Sequence, residues 1–129
     1  MEEGAVNLEL KKILIVDDNS PLRKITRKIL ESAGYDVLEA PDGAVAVALL
    51  MKEQPDMVLL DLVLPDITGY DLVYKLRAKS ENPILPVLAF TGFLERPEVT
   101  WDTSAGFNAL LVKPVQPEEL LETVKIHLV

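Results

Sequence analysis

The sequence predicts a doubly wound α/β domain in which five helices surround a five-stranded parallel sheet. Short, continuous apolar runs recur along its 129 residues, which is typical of strands that helices cover on both faces. Segments with helical periodicity separate these runs, so strands and helices alternate. Charged or hydroxyl-bearing residues directly follow several runs, at the sheet edge where open α/β folds bind ligands. The length allows one such domain.

The first strand and helix have clear boundaries. Residues 1–10 show no periodicity, and the apolar run at 13–16 then predicts strand one. Ser20 is the predicted N-cap of the first helix, Pro21 its first helical residue and Gly34 its end. The predicted apolar stripe of this helix consists of Leu22, Ile25, Ile29, Leu30 and Ala33.

The remaining elements follow the same alternation. The later strands are predicted from four further apolar runs, at 37–38, 57–60, 87–90 and 109–112. The later helices are predicted from periodicity and capping at 44–52, 70–79 and 98–105, with a last one that opens at Pro117. The weakest of these patterns are strand 37–38 and helix 98–105.

The predicted helix at 44–52 departs from the usual amphipathic pattern. Val47 and Leu50 are expected to face the sheet, but further apolar residues fall on the opposite face, where polar residues are expected. These residues are Ala44, Val45, Ala48 and Leu49. Either this face docks on another domain or partner, or the helix is rotated and residues 1–10 partly cover it.

Composition excludes several classes of protein. Hydrophobic residues make up 49% and charged residues 26%, which indicates a globular rather than a disordered chain. Cysteine is absent, which excludes disulfide scaffolds, thiol catalysis and cysteine-based zinc sites. The net charge of −8 disfavours direct binding to nucleic acid or anionic lipid. The sequence shows no secretory signal or membrane-spanning run, so we expect a soluble, cytoplasmic protein without membrane insertion.

Five side chains that carry chemistry stand immediately after predicted strands: Asp17, Asp18, Asp61, Thr91 and Lys113. We expect them to converge, because the carboxyl ends of parallel strands meet at one edge of the sheet. Clustered carboxylates repel one another, so at least one tends to stay protonated unless a cation binds. Mg²⁺ suits such oxygen ligands and typically uses one or two carboxylates, which leaves another free to attack phosphorus. Thr91 and Lys113 supply a hydroxyl and a positive charge for phosphoryl oxygens.

These motifs resemble the receiver (CheY-like) domain of two-component response regulators. They read ILIVDD at 13–18, DLVLPDITG at 61–69, TG at 91–92 and KP at 113–114. The resemblance covers about residues 11–128. It implies a receiver domain over 11–129, preceded by a linker or flexible N-terminus over 1–10, and the flavodoxin-like strand order 2-1-3-4-5.

The resemblance also implies a metal site and a phosphorylation site. Asp61 is expected to accept a phosphoryl group from the phosphohistidine of a histidine kinase or a histidine phosphotransfer domain. Mg²⁺ is expected to be held by the side chains of Asp18 and Asp61, by Asp17 through water, and by the main-chain carbonyl of Val63. The sequence contains no kinase ATP-binding motif, so the donor is another protein or domain, or a small acyl phosphate.

The two remaining site residues are expected to act on the phosphoryl group. By resemblance, Thr91 shifts toward that group and Lys113 pairs with it. The Lys113–Pro114 peptide is expected to be cis.

Three positions depart from the family pattern. The residue three positions before the strand-five lysine is usually aromatic, and here it is Leu110, so the aromatic part of the coupling to Thr91 is missing. Val63 and Phe93 occupy the two positions that resemble those tuning self-dephosphorylation in the family. Neither side chain can orient an attacking water, so we expect a long-lived phosphoryl group.

Two functions from different classes remain open at this point. The leading one is a phosphoacceptor signalling module, which is not an enzyme in the usual sense. The alternative is a phosphorylation-independent pseudo-receiver that serves as an interaction module, an option kept open by Leu110 and the apolar second helix. A haloacid-dehalogenase-type phosphatase is disfavoured, because residues 17–20 lack the second Asp that its nucleophile needs two residues on.

The parent protein also remains open. The segments 89–93, 105–107 and 111–115 are similar to receivers fused to hybrid sensor kinases, and residues 1–10 would then be the remnant of a linker from an intramolecular kinase core. A stand-alone regulator is expected to end in the same way, because Val129 leaves no room for an output domain. We expect a monomer or a weak dimer.

Overall fold

Five parallel strands form one sheet in the computed structural model of the chain, which describes residues 10–92 and 106–128. The strands are β1 (Lys12–Val16), β2 (Asp36–Ala40), β3 (Met57–Leu60), β4 (Val87–Thr91) and β5 (Ala109–Val112). Their order is β2-β1-β3-β4-β5, with every neighbouring pair parallel. The predicted fold class and strand order are confirmed.

Four helices lie in the part of the chain that the structure describes. They are α1 (Ser20–Ser32), α2 (Gly43–Glu53), α3 (Gly69–Lys79) and α4 (Pro117–His127). The additional helix predicted at 98–105 falls outside the described residues, as do Phe93 and positions 1–9 of the predicted linker. None of the described helices has the length and apolar character needed to cross a membrane.

The sheet separates two hydrophobic cores, which explains why its strands read as continuous apolar runs. Successive strand residues point to opposite faces, so Leu14 enters one core and Ile15 the other. The first core lies against α2 and α3 and contains Leu50. The second lies against α1 and α4 and contains Leu30 and Val124. Because both faces are covered, neither permits the alternation of polar and apolar residues seen in half-exposed strands.

The structure of helix α1 differs from the sequence prediction at its N-cap and in its apolar stripe. Its N-cap is Asn19 rather than Ser20, because the Asn19 side-chain oxygen accepts a hydrogen bond from the Leu22 amide at 3.1 Å. Ile25, predicted to lie in the apolar stripe, is 56% exposed, whereas Thr26 is buried. The Thr26 hydroxyl donates to the Leu22 carbonyl at 3.0 Å, which satisfies the polar group inside the interface. Ala33, also predicted in the stripe, is exposed.

Helix α2 buries a narrower face than its composition suggests. Ala46 and Leu50 are fully buried, and Val47 and Leu49 pack partly against the core. The prediction that Leu50 faces the sheet is confirmed, whereas Leu49 is not wholly on the outer face. The other apolar residues predicted to face outward are exposed: Ala44, Val45 and Ala48. The prediction that another domain, a partner or residues 1–10 cover these side chains stays a prediction.

The loop between β3 and α3 is closed tightly at Gly69, the first residue of α3. The Gly69 amide donates to the Leu62 carbonyl at 2.8 Å, and the Thr68 side chain caps the helix by accepting from the Asp71 amide. A Cβ on Gly69 would lie 2.7 Å from the Leu62 Cα and 2.8 Å from the Asp61 carbonyl oxygen. The start of α3 therefore rests directly on the backbone at the end of β3.

The same loop is tied to α2 by Asp66. Its carboxylate accepts hydrogen bonds from the amides of Gly43 at 2.9 Å and Ala44 at 3.0 Å. The Gly43 hydrogen bond, followed by that of Ala44, holds the pKa of Asp66 below its ordinary value despite some desolvation. A negative charge at a helix N-terminus is favourable, so this contact fixes the loop against α2.

Gly69→Ala tests the close approach at the start of α3. In an open helix this change stabilises by about 1 kcal/mol, but here the new methyl group meets backbone atoms. We expect a loss of about 1–3 kcal/mol in the free energy of unfolding, measured by urea denaturation. Gly92→Ala is the control, because its Cβ would meet Lys113 Cβ at an ordinary 3.8 Å. A Gly69→Ala variant as stable as the native chain would contradict the expected clash.

Candidate functional site

The strand order brings three carboxylates together at one edge of the sheet. Val16 and Leu60 are register partners at the ends of β1 and β3, and Asp17 and Asp61 are the residues that follow them. One carboxylate oxygen from each of Asp17, Asp18 and Asp61 lies within 4.8 Å of the others. Asp17 and Asp61 are buried, whereas Asp18 is exposed. The structure thus brings together the three carboxylates that the sequence predicts as metal ligands.

Lys113 lies between two of these carboxylates. Its Nζ is 2.7 Å from Asp17 Oδ2 and 3.1 Å from Asp61 Oδ2, and it also lies 5.3 Å from the centroid of the Phe90 ring. The Lys113 amide donates to the Thr91 carbonyl at 3.0 Å just beyond the β4–β5 ladder, and its peptide bond to Pro114 is cis. The ammonium group therefore offsets part of the charge of Asp17 and Asp61.

Burial affects the pKa of the Asp61 carboxyl more strongly than its hydrogen bonds and its contact with Lys113 do. Burial raises the pKa of the Asp61 carboxyl above its ordinary value, and the charge of Asp17 raises it further. The Val63 amide, which donates to Asp61 Oδ1 at 3.1 Å, and the Lys113 ammonium lower this pKa without cancelling the shift. In the absence of a cation, burial therefore disfavours the ionisation of Asp61.

Asp17 is held through its backbone and its side chain. Its amide donates to the Ala40 carbonyl on β2 at 3.1 Å, and its Oδ1 accepts from the Asn19 amide at 2.9 Å. Its carbonyl accepts from Arg23 Nη1 at 2.6 Å. With Lys113 on Oδ2, all these polar groups of Asp17 have partners, so its carboxylate points in one defined direction.

Arg23 and Glu39 are residues next to the site that sequence reasoning missed. Glu39 lies on β2, and its carboxylate accepts from Arg23 Nε at 2.7 Å and from Arg27 Nη1 at 2.8 Å. Lys24 Nζ lies 3.6 Å away. Burial raises the pKa of Glu39, but the hydrogen bonds from Arg27 and Arg23 outweigh it and hold that pKa below its ordinary value. A charged residue directly after the apolar run at 37–38 was the available signal.

The other predicted positions lie around this cluster. Thr91 ends β4 and is buried, whereas Val63 lies in the loop after β3 with 46% of its surface exposed. Leu110 is partly buried and packs against the core on the α2 and α3 side of the sheet. The aromatic residues of that core include Tyr70 and Phe107, which pack edge to face with centroids 5.7 Å apart.

The ligand atoms at this edge suit a hard divalent cation. The ligand atoms on offer from Asp17, Asp18 and Asp61 are carboxylate oxygens, which Mg²⁺ prefers to nitrogen or sulfur. The single positive charge of Lys113 leaves the ionised cluster with an excess of negative charge. A divalent cation would remove that excess and would relieve the repulsion that Asp17 exerts on Asp61.

Asp61→Asn tests whether the buried carboxylate destabilises the fold. Its raised pKa means that the folded chain keeps this proton at pH values where the unfolded chain has lost it, so the contribution of Asp61 to stability falls as pH rises through that window. We expect the variant to be more stable than the native chain at neutral pH.

The measurement is urea unfolding in a chelator at neutral pH and again below the ordinary carboxyl range, where the gain should shrink. Asp18→Asn is the matched control, because Asp18 is exposed and its charge is hydrated. Equal or lower stability of Asp61→Asn at neutral pH would contradict the expectation.

Comparisons with known proteins agree with this arrangement. Residues 13–125 match the family model described as the response regulator receiver domain. Protein PilH of Pseudomonas aeruginosa is 36% identical over 116 residues, which cover 89% of this chain and 95% of PilH. The probable transcriptional regulator ycf27 of Galdieria sulphuraria is 41% identical over 115 residues, 88% of this chain and 44% of that protein. The chain thus spans less than half the length of this regulator.

A solved structure of similar fold contains a magnesium ion. The receiver domain of the sensor histidine kinase PA1611 from Pseudomonas aeruginosa PAO1 was crystallised with a magnesium ion coordinated in its active site cleft. It is 28% identical to this chain, superposes with a TM-score of 0.84, and the alignment covers 93% of this chain and 98% of that one. Because the family match spans most of the sequence, the chain belongs to the response regulator receiver domain family of two-component signalling proteins.

Proposed function

We propose that this chain is a phosphoacceptor that takes a phosphoryl group on Asp61 from the phosphohistidine of a histidine kinase or histidine phosphotransfer domain. Receiver domains interact with such partners, which supports the assignment. The observation that carries it is the position of Lys113, whose ammonium lies within hydrogen-bonding distance of both Asp17 and Asp61. Phosphorylation then switches the interactions of the domain with its partners.

In the proposed step a carboxylate oxygen of Asp61 attacks phosphorus. A new O–P bond forms, the N–P bond of the phosphohistidine breaks, and its electron pair returns to the imidazole nitrogen. Asp61 must be ionised to attack, and the Val63 amide together with Lys113 favours that form. Lys113 then pairs with a phosphoryl oxygen, and the Thr91 hydroxyl donates to another.

Asp17, Asp18 and Asp61, with the main-chain carbonyl of Val63, would hold Mg²⁺ in this proposal. When bound, the ion neutralises negative charge as the phosphoryl group approaches the carboxylates. Asp18 is exposed, so it offers an open side of the cluster to a cation and to a phosphorylated partner. The cluster without a cation repels the phosphoryl group, which makes the reaction dependent on the metal.

The same proposal covers the organisation of the chain. Residues 11–129 form the receiver domain and residues 1–10 a linker, either in a separate regulator or beside the kinase core of a hybrid sensor kinase. The chain is a signalling domain that promotes its own phosphorylation and dephosphorylation, rather than an enzyme with a turnover substrate. Its cytoplasmic location and its monomeric or weakly dimeric state remain predictions.

Intact mass after incubation with acetyl phosphate and Mg²⁺ tests the phosphoacceptor function. We expect one phosphoryl adduct, stable in acid and labile in base, that is absent after Asp61→Asn and in a parallel sample with EDTA. If acetyl phosphate gives no adduct, the test is repeated with a phosphorylated histidine kinase domain. No adduct from either donor would contradict the proposal and would favour the phosphorylation-independent interaction module.

The lifetime of this adduct tests the prediction at Val63. The exposed Val63 side chain cannot orient water toward the phosphoryl group, so we expect slow decay in the native chain. Val63→Asn introduces a polar group at this position and should shorten the half-life severalfold. Val63→Ala controls for the loss of bulk and should change it less. A native adduct that decays as fast as those of chemotaxis-type receivers would contradict the prediction.

A further inference from the structure

We propose that Arg23 is a positioning residue for the cation site, because it links the carbonyl of Asp17 to Glu39 and thereby fixes the peptide between Asp17 and Asp18. The inference rests on the proposed function, since it concerns binding of Mg²⁺ by these carboxylates. It goes beyond that function in assigning a role to a side chain that contacts neither the cation nor the phosphoryl group.

The guanidinium group of Arg23 makes two contacts, one with Asp17 and one with Glu39. Nη1 donates to the Asp17 carbonyl at 2.6 Å, and Nε donates to Glu39 Oε1 at 2.7 Å. Only 11% of the Arg23 side chain is exposed, so water competes little for either bond. The Nε and Nη1 atoms of arginine are separate donors held in one plane, so a single side chain makes both contacts at once.

The carbonyl that Arg23 holds belongs to the peptide that leads to Asp18. Because a peptide group is planar, fixing the Asp17 carbonyl also fixes the amide nitrogen and Cα of Asp18. This backbone therefore sets the position from which the exposed side chain of Asp18 reaches the cluster. The amide and side chain of Asp17 are already held by Ala40, Asn19 and Lys113, and Arg23 adds the hold on its carbonyl.

Glu39 gives Arg23 a rigid support. Glu39 lies opposite Ile15 in the β1–β2 ladder, and its carboxylate also accepts from Arg27 at 2.8 Å. Lys24 provides a further positive charge at 3.6 Å. Glu39 therefore keeps cationic partners when Arg23 is replaced, and Arg27 shares Glu39 with Arg23. The second partner of Arg27 is Glu31, at 2.9 Å, whereas that of Arg23 is the Asp17 carbonyl, so Arg27 serves as the control.

The charge of Arg23 and its positioning role predict opposite changes in Mg²⁺ affinity when Arg23 is replaced. A guanidinium near a cation site repels the incoming Mg²⁺, so removing the positive charge of Arg23 should tighten binding by simple electrostatics. Loss of positioning should weaken it, because residues that orient metal ligands typically contribute tenfold or more to affinity. The direction of the change therefore distinguishes the two roles.

Calorimetric titration with MgCl₂ of the native chain, Arg23→Met and Arg27→Met tests the inference. We expect Arg23→Met to raise the Kd for Mg²⁺ by about tenfold or more, and Arg27→Met to leave it within about twofold. In the metal-free proteins, the ¹⁵N resonance of the Asp18 amide should shift in Arg23→Met and stay in place in Arg27→Met. A merely structural loss would lower the melting temperature in both variants without this difference.

The titration distinguishes failure of the proposed function from failure of the positioning role. If the native chain binds no Mg²⁺, the proposed metal-dependent function fails and the role of Arg23 fails with it. If the native chain binds Mg²⁺ and Arg23→Met binds it equally or more tightly, only the positioning role is overturned. Should Arg23→Met fail to fold, Arg23→Ala replaces it in the same titration, and a native Kd in that variant would also overturn the role.

Discussion

Repulsion among Asp17, Asp18 and Asp61 is the constraint around which this end of the molecule is built. Their carboxylate oxygens lie within 4.8 Å of one another, and two of the three residues are buried. Lys113 offsets part of this charge from the end of β5, through contacts of 2.7 Å and 3.1 Å. The compensation is incomplete, since the pKa of Asp61 remains raised by burial and by Asp17. An edge of the sheet that carries excess negative charge is thereby prepared for a cation.

Holding like charges together requires a rigid frame, and the structure supplies it through the backbone. The ladder between β1 and β3 sets the heights of Asp17 and Asp61, and the amide of Asp61 donates to the Val16 carbonyl at 3.0 Å. Beyond the strands, Gly69 allows α3 to rest on the end of β3, and Asp66 ties the intervening loop to α2. The carboxylates cannot relieve their repulsion by moving apart without breaking these contacts.

The sequence predicts those features that depend on residues next to each other in the chain. An apolar run buried on both faces predicts its strand, and the residue after the run is thereby placed at the sheet edge, which suffices to find Asp17, Asp61 and Lys113. The five strands were located to within two residues at either end for the same reason.

The same reasoning fails where the outcome depends on distant partners. Asp66 caps a helix that begins 23 residues earlier in the chain, and Arg23 meets Glu39 across the α1–β2 interface. Local patterns do not specify such pairs. The apolar pattern of α1 does not predict the burial of Thr26, because a hydroxyl that bonds within its own helix can be buried like an apolar group.

Stability and function place opposite demands on Asp61. A carboxyl with a raised pKa and incomplete compensation lowers the stability of the fold at neutral pH, so a chain selected for stability alone would not keep it there. Burial nevertheless removes the water that would screen Lys113 and any cation, so each charge at this edge acts more strongly on a charged ligand. The neighbouring contacts on Val63, Asn19 and Arg23 each hold a group in place rather than bury apolar surface. Polar groups concentrated at the cost of stability, within a frame that cannot relax, are the pattern expected of a site that binds charge rather than of a structural core.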